Sequence, residues 1–316
     1  MRTAFVQALC ELAEQDPRVW LLTADLGWSV VEPFQEQFPD RFVNVGVAEQ
    51  NLHGIAAGLA REGQVPFVYS IATFASMRGY EQFRNGPVLH QWPVRVVGIG
   101  GGFAYGHAGA SHHALEDLVI ARTQPGVAVL APADGAQARS ALFATQKLPG
   151  PAYFRVDKAE LPNLAELEGR FAWHTPEHLR TGHDLLVLTT GSITHEVLKM
   201  YDTLEPRRIR PAIALLAHIG YQAEEPLIQL LKEYPLVITV EEGSAAGGLG
   251  SLVAETISQH DLRCRLHITA VREPFLPHTG SVDYLRRQHG LDAGSLAALA
   301  RTALATKRIR ARRKAA

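Results

Sequence analysis

Glu49 opens an apparent helix in Asn44-Val-Gly-Val-Ala-Glu-Gln-Asn51, where a carboxylate could hold or move a proton. A helix N-terminus favours an acid for its dipole alone, so position by itself leaves capping and catalysis both open. Ser111, His112 and His113 lie in Gly109-Ala-Ser-His-His-Ala-Leu-Glu-Asp117 and bring hydroxyl and imidazole groups together. Such groups hydrogen-bond a developing alkoxide and relay protons. With His107 they could suggest a metal cluster, but adjacent histidines rarely ligate one ion and no carboxylate-rich motif accompanies them. No metal site is expected in this chain. A third stretch, Val240-Glu-Glu-Gly-Ser-Ala-Ala-Gly-Gly-Leu-Gly-Ser251, is rich in glycine and opens another helix.

Generic motifs mostly exclude. Gly98-Ile-Gly-Gly-Gly102 follows a strand, but Phe103 and Tyr105 stand where a dinucleotide fingerprint needs its last glycine. The chain has no Gly-Lys dipeptide for a phosphate loop of the Walker type and no Gly-x-Ser-x-Gly elbow.

The elements that must position these residues alternate. Strands are expected at Val19–Thr23, Val65–Tyr69, Val94–Ile99, Val127–Ala131 and Ala152–Val156. Helices fall between them, at Thr3–Glu14, Gln50–Ala60, Ala75–Leu89, Leu115–Arg122 and Ala136–Gln146. Short apolar strands alternating with helices indicate a parallel sheet covered on both faces. Lys158–Gly182 breaks the rhythm with prolines and charges and is expected to be a linker. The alternation resumes with strands Leu185–Thr189, Ala212–Leu216, Leu236–Val240 and Arg263–Ala270, and helices Thr194–Leu204, Pro226–Glu233 and Leu249–Ser258. The fold expected is α/β in two domains, each a mostly parallel sheet flanked by helices: residues 1–160, a linker 161–182, and residues 183–316.

A chain of 316 residues has room for about two domains with separate cores. Its formal net charge of −1 argues against a nucleic-acid binder. Cys10 and Cys264 are too few for a disulfide framework or a four-cysteine zinc site. No apolar run approaches a spanning helix and nothing after Met1 reads as a signal peptide, so no membrane association and a cytoplasmic location are expected. Six basic residues between Lys307 and Lys314 are expected to form a solvated, frayed terminal helix.

Together, in this order and spacing, the three stretches resemble the C-terminal half of transketolase and its thiamine-diphosphate relatives, deoxyxylulose-phosphate synthase among them. The resemblance covers nearly the whole chain, as a pyrimidine-binding domain followed by the transketolase C-terminal domain. It implies thiamine diphosphate as cofactor, whose thiazolium ring supplies the electron sink. In the family, diphosphate and Mg²⁺ are held by a domain marked Gly-Asp-Gly, and this chain has no Gly-Asp dipeptide. The expectation is one subunit of a split transketolase, paired with an N-terminal diphosphate-binding subunit in an α2β2 heterotetramer.

Glu49 matches the glutamate that bonds the aminopyrimidine ring, and Phe74, after Thr73, the phenylalanine that stacks on it. Asp25 matches an acidic residue near the cofactor cleft. Beyond Phe74 the register is open by one residue, which makes Arg78 and Glu81 candidates for the pocket. His112 matches the histidine facing thiazolium and substrate. Arg2, Ser29 and Arg155 match the site for the substrate phosphate, where an arginine fork can bind two oxygens at once. The family has an acid where Ala108 stands, leaving His107 beside it as the candidate contact to a sugar hydroxyl, and a histidine where Gly100 stands. The activity implied is transfer of a two-carbon ketol unit from a ketose phosphate to an aldose. The alternatives are the β-subunit of a thiamine-dependent 2-oxo-acid decarboxylase and a non-catalytic partner subunit. The phosphate positions and Ser111-His112 favour transketolase.

Overall fold

The computed structural model describes residues 1–273 and 277–315, with side chains up to residue 306. Six strands, β1 (Val19–Thr23), β2 (Phe42–Asn44), β3 (Val65–Ile71), β4 (Arg95–Ile99), β5 (Ala128–Leu130) and β6 (Ala152–Val156), form the first sheet. Their order is β2-β1-β3-β4-β6-β5 and every pairing is parallel. Alternation along the strands divides the core. Leu21 and Phe67 pack with Phe5 and Leu9 of helix Arg2–Gln15, while Leu22 and Val68 pack with Leu52 and Ala56 of helix Glu49–Arg61.

The second sheet holds β7 (Glu177–Arg180), β8 (Leu186–Thr189), β9 (Ala212–Leu215), β10 (Leu236–Ser244) and β11 (Arg265–Val271). Its order is β11-β10-β8-β9-β7, parallel except where β7 runs against β9. The segment expected to be a linker therefore contains an edge strand. Glu-His-Leu-Arg gives no alternating apolar signal, because only Leu179 is buried.

Helix Ala75–Leu89 also differs from expectation. It is a π-helical turn Phe74–Arg78, a short α-helix Tyr80–Phe83 and a second π-helical turn Arg84–Val88. Gly79 lies where a Cβ would fall 2.1 Å from the His53 ring, so only glycine lets this segment sit on helix Glu49–Arg61. Near the C-terminus, helices Val282–Gln288 and Ala293–Ala315 follow; the side chains of the basic tail lie outside the described residues.

The domains are joined by backbone as well as by core. Ala131 N–H donates to Ala217 O at 2.8 Å, Ile219 N–H to Val129 O at 2.9 Å and Ser244 N–H to Leu115 O at 2.8 Å. One apolar cluster runs across the junction, from Val96 and Val129 to Leu188, Ala214 and Leu252.

Burial holds two histidines neutral. It pushes His53 from 6.5 to about 4 and His218 to about 3, the latter helped by His174. The unfolded chain takes up these protons near pH 6.5, so the native state is expected to be fully stable above that value and to weaken as pH falls towards 4. For His53 alone the loss is roughly 3 kcal/mol. Urea unfolding at a series of pH values checks this; a flat profile from pH 7 to 4 would contradict it.

Candidate active site

Glu49 is the first residue of helix Glu49–Arg61, which starts just past the C-terminal end of β2. The carboxylate is 4% exposed, and its Oε1 accepts a hydrogen bond from Arg78 Nη1 at 3.0 Å. Phe74 begins the π-helical turn after β3, and the Arg78 guanidinium carbon lies 3.7 Å from its ring centroid. Arg78 stands four residues beyond Phe74 on this turn, the spacing that returns a side chain to the face of the one a turn earlier, and from there it also reaches Glu49. Of the two candidates the sequence offers beyond Phe74, Arg78 is the one brought to Glu49. Glu81 stands exposed on the short helix beyond.

On its other side Phe74 meets His112, edge to face, with centroids 5.0 Å apart at 66°. His112 Nδ1 is 2.9 Å from Ser111 Oγ, a contact that fixes the ring's orientation. His113 is turned away: it is buried, its Nε2 lies 3.2 Å from Gly106 O, and its ring packs on Phe103. His107 is exposed on the turn Gly106–Ala108.

Tyr105 continues the row, 6.1 Å from His112 between centroids. A Cβ on Gly100, whose φ is +74°, would fall 2.3 Å from the Tyr105 ring. Tyr105 thus occupies the space beside Gly100, where the resemblance calls for a histidine. The exposed Lys158 ammonium lies 4.6 Å from the Tyr105 centroid. Burial raises the pKa of Tyr105, and the charge of Arg2 opposes that rise. Tyr105 and Lys158 were not singled out by the sequence. The signal available was the pair of anomalies, a missing histidine and an unassigned cation three residues after Arg155.

Arg155 does not join this group. Its Nε donates to Asp117 Oδ2 at 3.0 Å, Nη1 to Glu242 O at 2.8 Å and Nη2 to Ala114 O at 3.1 Å and to Asp117 Oδ1. Burial opposes its charge, but Asp117 outweighs burial and holds the guanidinium's pKa above its ordinary value. A fork already bound to a buried carboxylate and two carbonyls is a structural clamp. In this arrangement the fork expected to meet substrate phosphate is directed at protein groups instead.

Asp25 and Ser29 lie on the loop after β1, both exposed and both at positive φ, 56° and 64°. Asp25 N–H donates to Asn44 Oδ1 at 3.0 Å, and the same oxygen accepts from Gly46 N–H, so this loop is tied to the one leading into Glu49. Trp28, Val47, Met77 and Leu89 expose large apolar side chains on the segments that carry the site.

The glycine-rich third stretch is architectural. Glu241 accepts from Leu249 N–H and Gly250 N–H, each at 2.8 Å, at the start of helix Leu249–Gln259. Glu242 accepts from Phe103 N–H at 2.8 Å and pairs with Arg286, tying the domains together. Among the described residues no group of three or more His, Cys, Asp or Glu could hold a metal ion.

Residues 1–163 match the transketolase pyrimidine-binding domain, and residues 175–296 the transketolase C-terminal domain. The chain belongs to the transketolase family. It is 34% identical over 267 residues to an apulose-4-phosphate transketolase subunit of Phocaeicola vulgatus, covering 84% of this chain and 86% of that one. It is 33% identical over 294 residues to a 6-deoxy-6-sulfo-D-fructose transketolase subunit of a Clostridium species, with 93% and 91% covered. Among solved structures, a split-gene transketolase described as an inactive β4 tetramer superposes with a TM-score of 0.85 at 32% identity, covering 96% of this chain and 98% of that one. Over nearly all of its length the chain is therefore similar to transketolases, separate-subunit forms among them.

Proposed function

We propose that this chain is the C-terminal subunit of a two-component transketolase, which transfers a two-carbon ketol unit from a ketose phosphate to an aldose after joining an N-terminal diphosphate-binding subunit. The observation that carries the reading is the continuous row Glu49, Arg78, Phe74, His112, Tyr105, Lys158 across the carboxyl ends of the first sheet. The near-complete coverage of two transketolase subunits and of a split-gene chain supports a separate partner.

The pocket fits an aminopyrimidine. A flat cation bearing N–H groups, the Arg78 guanidinium, already lies on Phe74 and bonds the buried Glu49 carboxylate. Thiamine diphosphate, when bound, supplies an electron sink for making and breaking the carbon–carbon bond. Glu49 holds a ring nitrogen and sets its protonation, Phe74 presents an apolar face and excludes water, and Asp25 and Arg78 line the approach. His112, oriented by Ser111, hydrogen-bonds substrate oxygens and moves a proton to or from them, with His107 beside it. Mg²⁺ and the diphosphate fall to the partner, and the exposed apolar residues Trp28, Val47, Met77 and Leu89 are surface for it to cover. An α2β2 assembly follows if two such pairs associate, as in the resemblance.

Arg2, Ser29 and Lys158 form the phosphate end of the channel, with Lys158 taking the part first expected of Arg155. The relatives' named sugars, one a phosphate and one a sulfonate, share an anionic end. Lys158→Ala is expected to raise KM for a phosphorylated substrate about tenfold, the worth of one exposed charge-assisted contact. KM for the same sugar without its phosphate should stay unchanged, and an equal rise for both would remove Lys158 from the phosphate site. For the function as a whole, the chain is mixed with its diphosphate-binding partner, thiamine diphosphate and Mg²⁺. Consumption of sugar phosphates by the mixture alone supports the proposal; turnover of 2-oxo acids instead, or activity of the single chain, overturns it.

A further inference from the structure

Arg78 makes the two contacts that the proposed cofactor ring needs. Its guanidinium lies 3.7 Å from the Phe74 centroid and its Nη1 donates to Glu49 Oε1 at 3.0 Å. A guanidinium and an aminopyrimidine are both flat arrays of carbon and nitrogen with N–H groups on the edge. Either can lie on an aromatic face and meet a carboxylate, but one Phe74 face and one Glu49 carboxylate oxygen cannot serve both at once.

We propose that Arg78 is an internal stand-in for the cofactor's aminopyrimidine, so that the ring is taken up by exchange with the Arg78 side chain. The inference rests on the pocket reading given above. Three features support exchange over simple addition. Glu49 is 4% exposed, and the only salt-bridge partner found for it among the described residues is Arg78. That ion pair gives the buried carboxylate a partner before any ligand arrives, through a half-exposed arginine that can release it. Arg78 itself is 47% exposed, so its side chain can swing into solvent without disturbing the core. Finally, Arg78 lies four residues beyond Phe74 on one turn, so the guanidinium over the ring is held by its own side chain and not by packing from another element.

Arg78 is thus a positioning residue for Glu49, holding the carboxylate in place and leaving as the ring comes in. Ligand affinity is lowered by the fraction of chains in which the guanidinium has let go. With a contact made to a buried acid by a half-exposed arginine, that fraction is about one in ten, and removing the guanidinium should tighten binding about tenfold. A residue that merely added a contact to the ring would give the opposite sign.

The test titrates the full-length chain with 4-amino-5-hydroxymethyl-2-methylpyrimidine and follows binding by ligand-detected NMR. The forms compared are wild type, Arg78→Ala, Arg78→Met and Glu49→Ala. Arg78→Met keeps apolar cover on Phe74 and guards against loss of folding in the smaller variant. Both Arg78 variants are expected to bind about tenfold more tightly than wild type. Added methylguanidinium should return Arg78→Ala to wild-type affinity by refilling the place on Phe74 and Glu49. Unchanged or weaker binding in both variants overturns the exchange while leaving the pocket reading intact, provided wild type binds and Glu49→Ala does not. If no form binds the pyrimidine, the pocket reading fails and the exchange falls with it.

Discussion

Glu49→Gln in the reconstituted pair is expected to lower kcat by about 10²- to 10⁴-fold while leaving folding and assembly intact. Glutamine matches glutamate in shape, and its amide oxygen can still accept from Arg78 Nη1, so the local packing survives. What is lost is an ionisable group able to set the protonation of a bonded ring nitrogen, a contribution of the size usual for general acid–base catalysis. The helix dipole gives no such dependence: a cap is worth about 1 kcal/mol of stability and nothing in turnover. Steady-state kinetics of the assembled pair decides between them, and a fall in kcat of less than tenfold would return Glu49 to a capping role.

Arg155→Ala is expected to unfold or loosen the chain before it touches substrate binding. Asp117 is fully buried and accepts from Tyr153 Oη at 2.7 Å as well as from Arg155, so removing the guanidinium strands a carboxylate in the core. Breaking a buried pair from one side typically costs about 3–5 kcal/mol. The same side chain reaches Glu242 O on β10, so the link between the two sheets weakens with it. Urea unfolding should show a lower midpoint and a separation of the domains' transitions, with Arg155→Lys intermediate. A variant within about 1 kcal/mol of wild type, with KM raised only for phosphorylated sugars, would restore Arg155 to the phosphate site.

The strands were legible because parallel strands buried on both faces are continuous apolar runs: Val19–Thr23 and Ala152–Val156 were read to the residue. β7 was not, since an edge strand of four residues with one buried side chain carries no pattern. The break in helix Ala75–Leu89 was hidden because each π-helical segment is a single turn, too short to impose a period of its own on the apolar pattern. Glu49, Phe74 and His112 stood out through short motifs at the ends of strands and helices, and the fold brings Phe74 against His112 and, through Arg78, next to Glu49. The contacts of Arg155 were hidden for a different reason. Sequence shows a guanidinium in the right neighbourhood, but not that Asp117, far back in the chain, lies beneath it. Tyr105 was missed because its role comes from an absence, the bare backbone at Gly100 that its ring covers.

The most direct test of the central claim is the rate at which the C2 hydrogen of added thiamine diphosphate exchanges with deuterium in the assembled pair, followed by quenched-flow NMR without substrate. Chemistry at any sugar is then left out, and only the effect of the Glu49–Phe74 pocket is read. The wild-type pair is expected to exchange at least about 10²-fold faster than the Glu49→Gln pair. Equal rates in the two would contradict the account.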